Sequence, residues 1–407
     1  MRIGMILDNT QEFPPDIRVE KEIKALVAAG HEVFVLSPKY KTDSAASEYM
    51  PQLVATVDRV ILGAVAGRYL ANAWRALTMF DTRWLEVTRQ FVDRHCLEVL
   101  HVHDLFTVPA IVRIGEEKNI PVVADLHENM PAAMRAARSV YPLWKRLLMG
   151  TLYNYRLMQL NEARALKKCA AVVIVVPEAA ERLLSYGIAE SRIHVVSNTE
   201  DETTFQFKPE QADVSICEQY KDKFVISYVG GSGAERGLDT TLRAMPHIIK
   251  ALSNIHFLIV GADPKSKVEI DAMVSELNIG AYVEVLLWQP FYKVNSYIMA
   301  SDVCLVPHND FEHTQTTIPH KLFQYMICGK PVLVSDCKPL KRIMEQAKAG
   351  AIFRANDEKD LATTLLHMAA HPEELVEMGL NGQKAALGPL SWKKDAQVLV
   401  DLYSKLK

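Results

Sequence analysis

Short runs of apolar residues alternate with helical spacing along the first half of the chain. Residues 2–7 (RIGMIL) are the first run, residues 18–29 have helical spacing, and HEVFVLSP follows a stop at Gly30. This order predicts a strand, a helix and a second strand that lies parallel to the first. Later apolar runs, each ending in polar residues, are LEVLHVHD, PVVADLHEN and AAVVIVVPEAA. The first half is therefore predicted to be a parallel sheet covered by helices on both faces.

The same alternation resumes after a polar stretch at residues 208–223 (KPEQADVSICEQYKDK). The strand predicted over residues 224–229 runs into a turn that contains Gly230, Gly231 and Gly233, and a helix is predicted to begin near Leu238. Further strands are predicted in HFLIVGAD, YVEVLLWQPF and DVCLVPHND. The second half is thus a second Rossmann-like series of parallel strands and helices.

Two doubly wound halves of this kind predict two α/β domains that face a deep cleft, because ligands bind at the carboxyl ends of parallel strands. We place an N-terminal domain at residues 1–205 and a C-terminal domain at residues 206–387. The last helix, at about residues 388–407, is expected to pack back on the first domain.

Composition narrows the classes of protein that fit this pattern. The chain has 407 residues, of which 49% are hydrophobic, and a net charge of -3, so we expect large cores and no nucleic-acid partner. Its six cysteines are far apart without a CxxC spacing, which predicts neither a disulfide nor a structural zinc site. No apolar run reaches the roughly eighteen residues that span a bilayer, so a cytoplasmic location is expected.

Residues 316–336 (TTIPHKLFQYMICGKPVLVSD) predict a polar loop, a helix from about His320 to Ile327, and a buried strand. Amides at the start of a helix lack intrahelical partners and the helix dipole is positive there, so the amides of residues 317–321 are candidates to hold an anion. Lys321 lies in the first turn, where a cation is unfavourable unless an anionic ligand neutralises it. The alternative is an ordinary loop, helix and strand of an α/β sheet.

Residues 133–168 are basic and aromatic. Eight basic residues stand against the single acidic Glu162, and the segment also carries Tyr141, Trp144, Tyr153 and Tyr155. Basic and aromatic residues on a helix are typical of a surface that meets anionic lipid. The alternative is one long helix that packs its apolar stripe on the sheet and leaves Arg and Lys in solvent.

Several stretches together resemble the retaining glycosyltransferases of the GT-B fold, family 4. The matching stretches are DIRVEKEIKALVAAGHEV (16–33), HVHD (101–104), DLHE (125–128), VVSN (195–198), YVGGSGAERGL (228–238), SDVCLVP (301–307) and PHKLFQYM with GKPVLVSD (319–336). The resemblance implies that the donor is a nucleotide-diphosphate sugar. It also implies that the C-terminal half holds this donor without a metal ion or other cofactor. The same resemblance implies a glycan or lipid-linked acceptor at the N-terminal half, as in cell-surface polysaccharide assembly, and peripheral attachment to the cytoplasmic face of a membrane is a further hypothesis.

The resemblance also assigns roles to residues. Arg236 and Lys321 are expected to clamp the diphosphate, and His127 matches the family's active-site histidine. The residues expected to bind the donor are Gly231, Ser232, Gly233, Arg236, Thr316, Thr317, Ile318, Lys321 and Gln324. The residues expected to touch the acceptor are Asp16, Arg18, His103 and Asp104.

The chain departs from the family pattern at three positions, one of which is Gly231, where the family often has an arginine, so that the clamp rests on Arg236 and Lys321 alone. Thr316 and Gln324 stand where the family has two glutamates, and Gln324 can still bond ribose hydroxyls through its amide, without a charge. These departures leave open a catalytically silent binder of nucleotide sugars that scaffolds other enzymes. A dinucleotide oxidoreductase is a further alternative, prompted by GSGAER (231–236) and Asp263, although Arg236 replaces the last glycine of that fingerprint.

Overall fold

The computed structural model describes residues 1–8, 13–40, 44–62, 74–138, 141–202, 205 and 212–406. The chain forms two compact units, Met1–Ser197 with Lys393–Lys407 and Asn198–Trp392, which we call unit 1 and unit 2. The sequence instead placed the division between residues 205 and 206. Each unit is an α/β domain built on a parallel sheet, as predicted, with one antiparallel strand at the edge of unit 1.

Unit 1 contains an eight-stranded sheet. Its strands are β1 (Arg2–Ile6), β2 (Glu32–Pro38), β3 (Ser47–Met50), β4 (Ala55–Val60), β5 (Val99–His103), β6 (Val122–Leu126), β7 (Ala171–Ile174) and β8 (Ile193–Val195). Their order is β3-β4-β2-β1-β5-β6-β7-β8, and only β3 runs antiparallel to its neighbour. The order doubles back at β1, so polar residues after β5 and β6 lie at the ligand edge of an open sheet.

Helices connect these strands. They are α1 (Ile17–Ala28), α2 (Arg83–His95), α3 (Val108–Lys118), α4 (Met130–Ala137), α5 (Leu143–Leu152), α6 (Tyr155–Leu166) and α7 (Ala180–Ser185), with the C-terminal α16 (Trp392–Lys405). The single long helix considered for residues 133–168 is therefore wrong, because Pro142 and Asn154 each begin a new helix there.

Unit 2 contains a six-stranded sheet in which every pairing is parallel. Its strands are β9 (Phe224–Val229), β10 (Ile255–Ala262), β11 (Val283–Leu287), β12 (Val303–Val306), β13 (Val332–Ser335) and β14 (Gly350–Phe353). The order β11-β10-β9-β12-β13-β14 reverses direction at β9, beside β12. The glycine turn after β9 therefore lies where such sheets bind ligands.

The helices of unit 2 cover both faces of this sheet. They are α8 (Val214–Gln219), α9 (Leu238–Ile249), α10 (Pro264–Glu276), α11 (Phe291–Met299), α12 (His320–Ile327), α13 (Lys338–Ala347), α14 (Glu358–Ala370) and α15 (Pro372–Ala386). The apolar side chains of α9 and α14 pack with those of β9 and β10 in one buried core. Among the described residues, no helix combines the length and the apolar character needed to cross a bilayer.

Candidate active site

The turn after β9 is shaped by glycines that have no room for a side chain. Gly230 has a φ of 132°, and a Cβ there would lie 2.7 Å from the Nζ of Lys321. Gly237 has a φ of 71° and starts α9, where a Cβ would lie 1.7 Å from the carbonyl oxygen of Pro307. Since only glycine accepts both the conformation and the contact, the turn can approach the lysine of α12 closely.

Lys321 is the buried cation of this site. It lies in the first turn of α12 with 9% of its surface exposed, and its Nζ is 3.5 Å from the ring centroid of Tyr228. Its Nζ has no hydrogen-bond partner among the described residues. Burial, with a further contribution from the positive charge of Arg236, lowers the pKa of Lys321 well below its ordinary value. A buried ammonium without an acceptor is costly, and an anion placed beside it would remove that cost.

Arg236 ends the short 3-10 turn Ala234–Arg236 beside this lysine. Its Nε lies 3.0 Å from the Oε1 of Glu235, and its Nη1 lies 3.4 Å from the Nε2 of His308. Both His308 and His313 are buried near Arg236, and burial followed by the charge of Arg236 lowers the pKa of His313 to about 4. The neutral histidines leave Arg236 and Lys321 as the groups that can meet an anion with positive charge.

In unit 1, oppositely charged side chains meet where β5 and β6 end. Arg18 of α1 places its Nη2 2.9 Å from the Oδ1 of Asp125 and its Nε 3.0 Å from the Oε1 of Glu22. The buried His101 and His103 stack with ring centroids 4.6 Å apart beside these carboxylates. Arg18 thus has carboxylate partners within the chain, in contrast to Lys321.

His127 follows β6 and stands beside that cluster, with 23% of its side chain exposed. Its Nδ1 is 3.7 Å from the Oδ1 of Asp104, and its Nε2 is 3.1 Å from the Nδ1 of His103. Although burial lowers it, the neighbouring carboxylates of Asp104 and Asp125 raise the pKa of His127 to about 10. The imidazole is thus held in a fixed position at the carboxyl edge of the sheet, partly open to a ligand.

Comparison with family models identifies both units. Residues 17–202 match the model described as Glycosyltransferase Family 4, and residues 223–371 match the one described as Glycosyl transferases group 1. Together the two matches cover most of both units. The chain belongs to these glycosyltransferases. The dinucleotide oxidoreductase considered from the GSGAER stretch is therefore wrong.

Curated relatives of this glycosyltransferase are distant. The phosphatidyl-myo-inositol mannosyltransferase of Mycolicibacterium smegmatis is 21% identical over 90% of this chain and 84% of its own length. The MMP alpha-(1->4)-mannosyltransferase of Mycolicibacterium hassiacum is 20% identical over 70% of this chain, a match that spans 65% of the relative, less than two thirds of its length.

Solved structures confirm the GT-B fold of the glycosyltransferase. The sucrose-phosphate synthase of Thermosynechococcus elongatus has a TM-score of 0.79 at 18% identity, covering 100% of this chain and 98% of that one. Anabaena HepE in complex with UDP-glucose has a TM-score of 0.70 at 13% identity, covering 100% of both chains. At these identities the likeness concerns the fold.

The polar groups of the loop before α12 are less available to a ligand than the sequence predicted, because several are buried or hydrogen-bonded within the protein. The Oγ1 of Thr316 donates toward the carbonyls of Glu312 and His313, at 3.1 and 3.2 Å. Thr317 and Ile318 are buried, and Pro319, which precedes the helix, has no N–H to offer. Of the amides predicted to hold an anion over residues 317–321, the one at position 319 is therefore missing. The hydroxyl of Thr316 is engaged by backbone carbonyls of its own turn.

The glycosyltransferase also buries a carboxylate that the sequence analysis did not single out. The Nε2 of Gln324 donates to the Oε1 of Glu200 at 3.0 Å, and the Nδ1 of His320 is 3.3 Å from the same oxygen. Glu200 is only 2% exposed. It lies two residues after the matching stretch VVSN (195–198), but no local spacing ties it to Gln324. A carboxylate thus stands beside the position where the family pattern led us to expect one.

The residues predicted to touch the acceptor have structural contacts. Asp16 caps α1, accepting hydrogen bonds from the amides of Arg18 and Val19 at 3.1 Å each. Arg18 and His103 are 3% and 1% exposed and belong to the charged cluster. Asp104 remains partly open, with 36% of its side chain exposed. Contact with an acceptor stays a prediction for all of them, and Asp104 has the surface for it.

Proposed function

We propose that this glycosyltransferase transfers a sugar from a nucleotide-diphosphate donor to a glycan or lipid-linked acceptor, with retention of configuration, in the assembly of a cell-surface polysaccharide. The observation that carries the proposal is Lys321, a buried ammonium without a protein acceptor, beside Arg236 at a glycine turn. The departing diphosphate gains negative charge as the sugar leaves, and cationic donors fixed in advance stabilise that charge.

The diphosphate would lie between the glycine turn and the start of α12. Lys321 would supply a compact positive charge from the first turn of α12, and Arg236 would supply several N–H donors in one plane. The amides of Gly231, Ser232 and Gly233 can approach the phosphate oxygens. The Oγ of Ser232 has no hydrogen-bond partner among the described residues and adds one more donor. The solved complex of HepE with UDP-glucose, a neighbour in fold, supports a nucleotide-diphosphate sugar as the donor class.

Glu200 and Gln324 would hold the ribose of the donor. A carboxylate accepts a hydrogen bond from a hydroxyl more strongly than an amide oxygen does, and the Gln324 amide fixes the orientation of this one. The carboxylates missing at positions 316 and 324 were the observation that favoured a silent scaffold. Because Glu200, from another segment, provides a carboxylate beside Gln324, we favour the enzyme.

His127 would contact the donor sugar or the developing diphosphate. Its partly exposed ring is oriented by Asp104, Asp125 and His103, and such second contacts fix the geometry that catalysis requires. His127 is the proposed catalytic residue of unit 1, and Arg236 and Lys321 are those of unit 2, where protein cations take the part that a metal ion has in other transferases.

The acceptor would bind in unit 1. A cavity of about 340 Å³ there is lined by Arg75, Phe106, Met134 and Tyr153, so a cation and two aromatic rings face one space. Arginine binds phosphate and aromatic rings stack on sugars and lipid groups, a combination that suits a glycolipid head group. The mannosyltransferase relative named for phosphatidyl-myo-inositol supports an acceptor of this chemical class.

Helix α5 would dock this site on an anionic membrane. It buries none of its residues, and the exposed fractions of Leu143, Trp144, Leu147 and Leu148 are 62%, 69%, 64% and 52%. Leu143 and Leu147 are four residues apart, as are Trp144 and Leu148, so the four side chains lie along one side of the helix. Tyr153, which ends α5, also lines the cavity, so a docked α5 would bring the cavity to the lipid surface.

Release of nucleoside diphosphate tests the transferase activity. The full chain would be incubated with a panel of nucleotide sugars and a lipid extract, and release would be compared between the wild type, Arg236→Ala, Lys321→Ala and the exposed control Lys250→Ala. We expect release from one donor by the wild type and the control, and none by the other two. Near-normal release by both Arg236→Ala and Lys321→Ala would contradict the proposed clamp.

Sedimentation with vesicles tests the membrane proposal. Binding to vesicles that contain anionic lipid should fall when Lys145, Arg146 and Arg156 are reversed to glutamate, and also when Trp144 and Leu147 become serine. Binding unaffected by either change would contradict docking through α5. Neutral vesicles are the control, because they keep the apolar contact and remove the electrostatic one.

A further inference from the structure

The buried cluster of unit 1 contains more than an ion pair. Glu22, His101, His103 and Asp125 each offer one ligand atom, and the four atoms lie within 4.8 Å of one another. All four residues are at most 1% exposed. Two imidazoles and two carboxylates are a ligand set that zinc and related divalent metals bind.

Three of the atoms that face one another in this cluster lack hydrogen bonds, while the fourth, the Oδ2 of Asp125, accepts one from the Nε of Arg18 at 3.1 Å. The Nε2 atoms of His101 and His103 and the Oε2 of Glu22 have no hydrogen-bond partner among the described residues. The Nε2 of His101 is 3.7 Å from the Oε2 of Glu22 and 3.6 Å from the Oδ2 of Asp125. The Nε2 of His103 is 4.0 Å from the same oxygen of Glu22. Buried polar atoms without partners are rare, and several that converge on one point need a common partner.

The separations of the ligand atoms can be compared with those of a metal site. A tetrahedral site with bonds of about 2.0–2.1 Å keeps its ligand atoms about 3.3–3.4 Å apart. Three of the separations are 3.6–4.0 Å and all of them are within 4.8 Å, so the side chains would close around the ion by between a few tenths of an ångström and about 1.5 Å. The rigid parallel strands β5 and β6 and the helix α1 supply the ligands, so their positions are fixed by the fold.

Each ligand side chain is also held from behind. The Nδ1 of His101 is 2.6 Å from the hydroxyl of Tyr403, and the Nδ1 of His103 is 3.1 Å from the Nε2 of His127. The guanidinium of Arg18 contacts the outer oxygens, at 3.0 Å for the Oε1 of Glu22 and 2.9 Å for the Oδ1 of Asp125. Such outer contacts are what orient metal ligands in proteins.

We propose that Glu22, His101, His103 and Asp125 bind one divalent metal ion of the zinc type inside unit 1. The site is closed to solvent and leaves no coordination position for a substrate, so the ion has a structural role and enters as the chain folds. The Nδ1 of His103 lies 3.1 Å from the Nε2 of His127, so the proposed metal site is in direct contact with the proposed catalytic ring. The proposal is independent of the diphosphate clamp, whose residues are all in unit 2.

The metal content of the purified chain tests this site. The full chain without a histidine tag would be unfolded with a chelator, refolded with or without zinc, desalted, and analysed by elemental mass spectrometry. We expect about one zinc ion per chain after refolding with zinc, and a higher melting temperature than in the metal-free sample. A chain that holds no metal after refolding with excess zinc overturns the proposal, whatever its activity.

Variants separate this site from adventitious binding. Glu22→Gln keeps the shape of the side chain and should lose the stoichiometric zinc, whereas Tyr403→Phe keeps all four ligands and should bind about ten-fold more weakly. The control is His367→Ala with His371→Ala, which removes an exposed pair of stacked histidines. Zinc that disappears in this control and persists in Glu22→Gln would place the ion on the surface and contradict the proposal.

Discussion

Each unit buries a cation in the first turn of a helix, Arg18 in α1 and Lys321 in α12, and the surroundings of the two cations are opposite. In unit 1, Arg18 contacts the carboxylates of Glu22 and Asp125 in the interior. In unit 2, Lys321 contacts the ring of Tyr228, and its Nζ finds no acceptor among the described residues. A buried charge needs a partner, and in unit 1 the chain supplies it. We infer that in unit 2 a bound ligand supplies the acceptor for Lys321. The free protein is less stable for lacking this acceptor, and ligand binding restores the lost stability.

Removing the paired cation should have the largest effect on stability. Arg18→Met leaves two carboxylates buried together, and the loss of one partner of a buried pair costs about 3–5 kcal/mol. We expect the free energy of unfolding of unit 1, followed by denaturant titration, to fall by that amount. Lys321→Met removes an unpaired charge and keeps a side chain of similar shape. It should leave the stability of unit 2 unchanged or raise it. A large loss of stability in Lys321→Met would mean that the lysine has a structural partner.

Removing the unpaired cation should instead weaken ligand binding. Hydrogen bonds to charged groups are worth about 1.5–3 kcal/mol, so Lys321→Met should bind a nucleoside diphosphate about 10- to 100-fold more weakly. Titration calorimetry of the wild type and of Lys321→Met gives the ratio. The matched control is Lys250→Met, which removes the same charge from an exposed position of unit 2. Equal losses in both variants would point to long-range attraction and against a specific contact.

The buried carboxylate beside α12 should have a smaller and more selective effect. Glu200→Gln keeps the volume of the side chain and removes a charged acceptor, so it should cost about 1 kcal/mol, or roughly five-fold in affinity for a nucleoside diphosphate. Inorganic pyrophosphate has no ribose, and its affinity should not change. An equal loss for both ligands would place Glu200 in the support of the clamp and not at the ribose.

The contrast between the units also explains what the sequence could predict. The strand over residues 224–229, the start of a helix at Leu238 and the helix His320–Ile327 were predicted at the bounds that the structure has, because apolar periodicity and glycine turns are local signals. The same local signals placed Lys321 in a first helical turn. Because these signals recur in both halves of the chain, the sequence predicted two parallel sheets and therefore the fold.

Long-range pairing lay beyond such signals. Glu200 meets Gln324 across 124 residues, and Arg18 meets Asp125 across 107, so neither partner is visible from spacing along the chain. Cysteine spacing excludes only a zinc site made of cysteines. The two histidines of HVHD (101–104) form a ligand set only with Glu22 of α1 and Asp125 of β6, which are distant in the sequence. The role of Asp16 was a different kind of miss, because an aspartate before a helix is a local signal for an N-cap.

We propose that a bound diphosphate completes the site around Lys321, and this can be tested by measuring proton uptake on binding. Burial lowers the pKa of Lys321 in the free protein, and a bound anion raises it, so binding takes up a proton between these two values and the affinity falls as the pH rises through that range. Calorimetry with a nucleoside diphosphate in buffers of different ionisation enthalpy should show this uptake in the wild type and not in Lys321→Met. Proton uptake that is the same in both proteins would contradict the account.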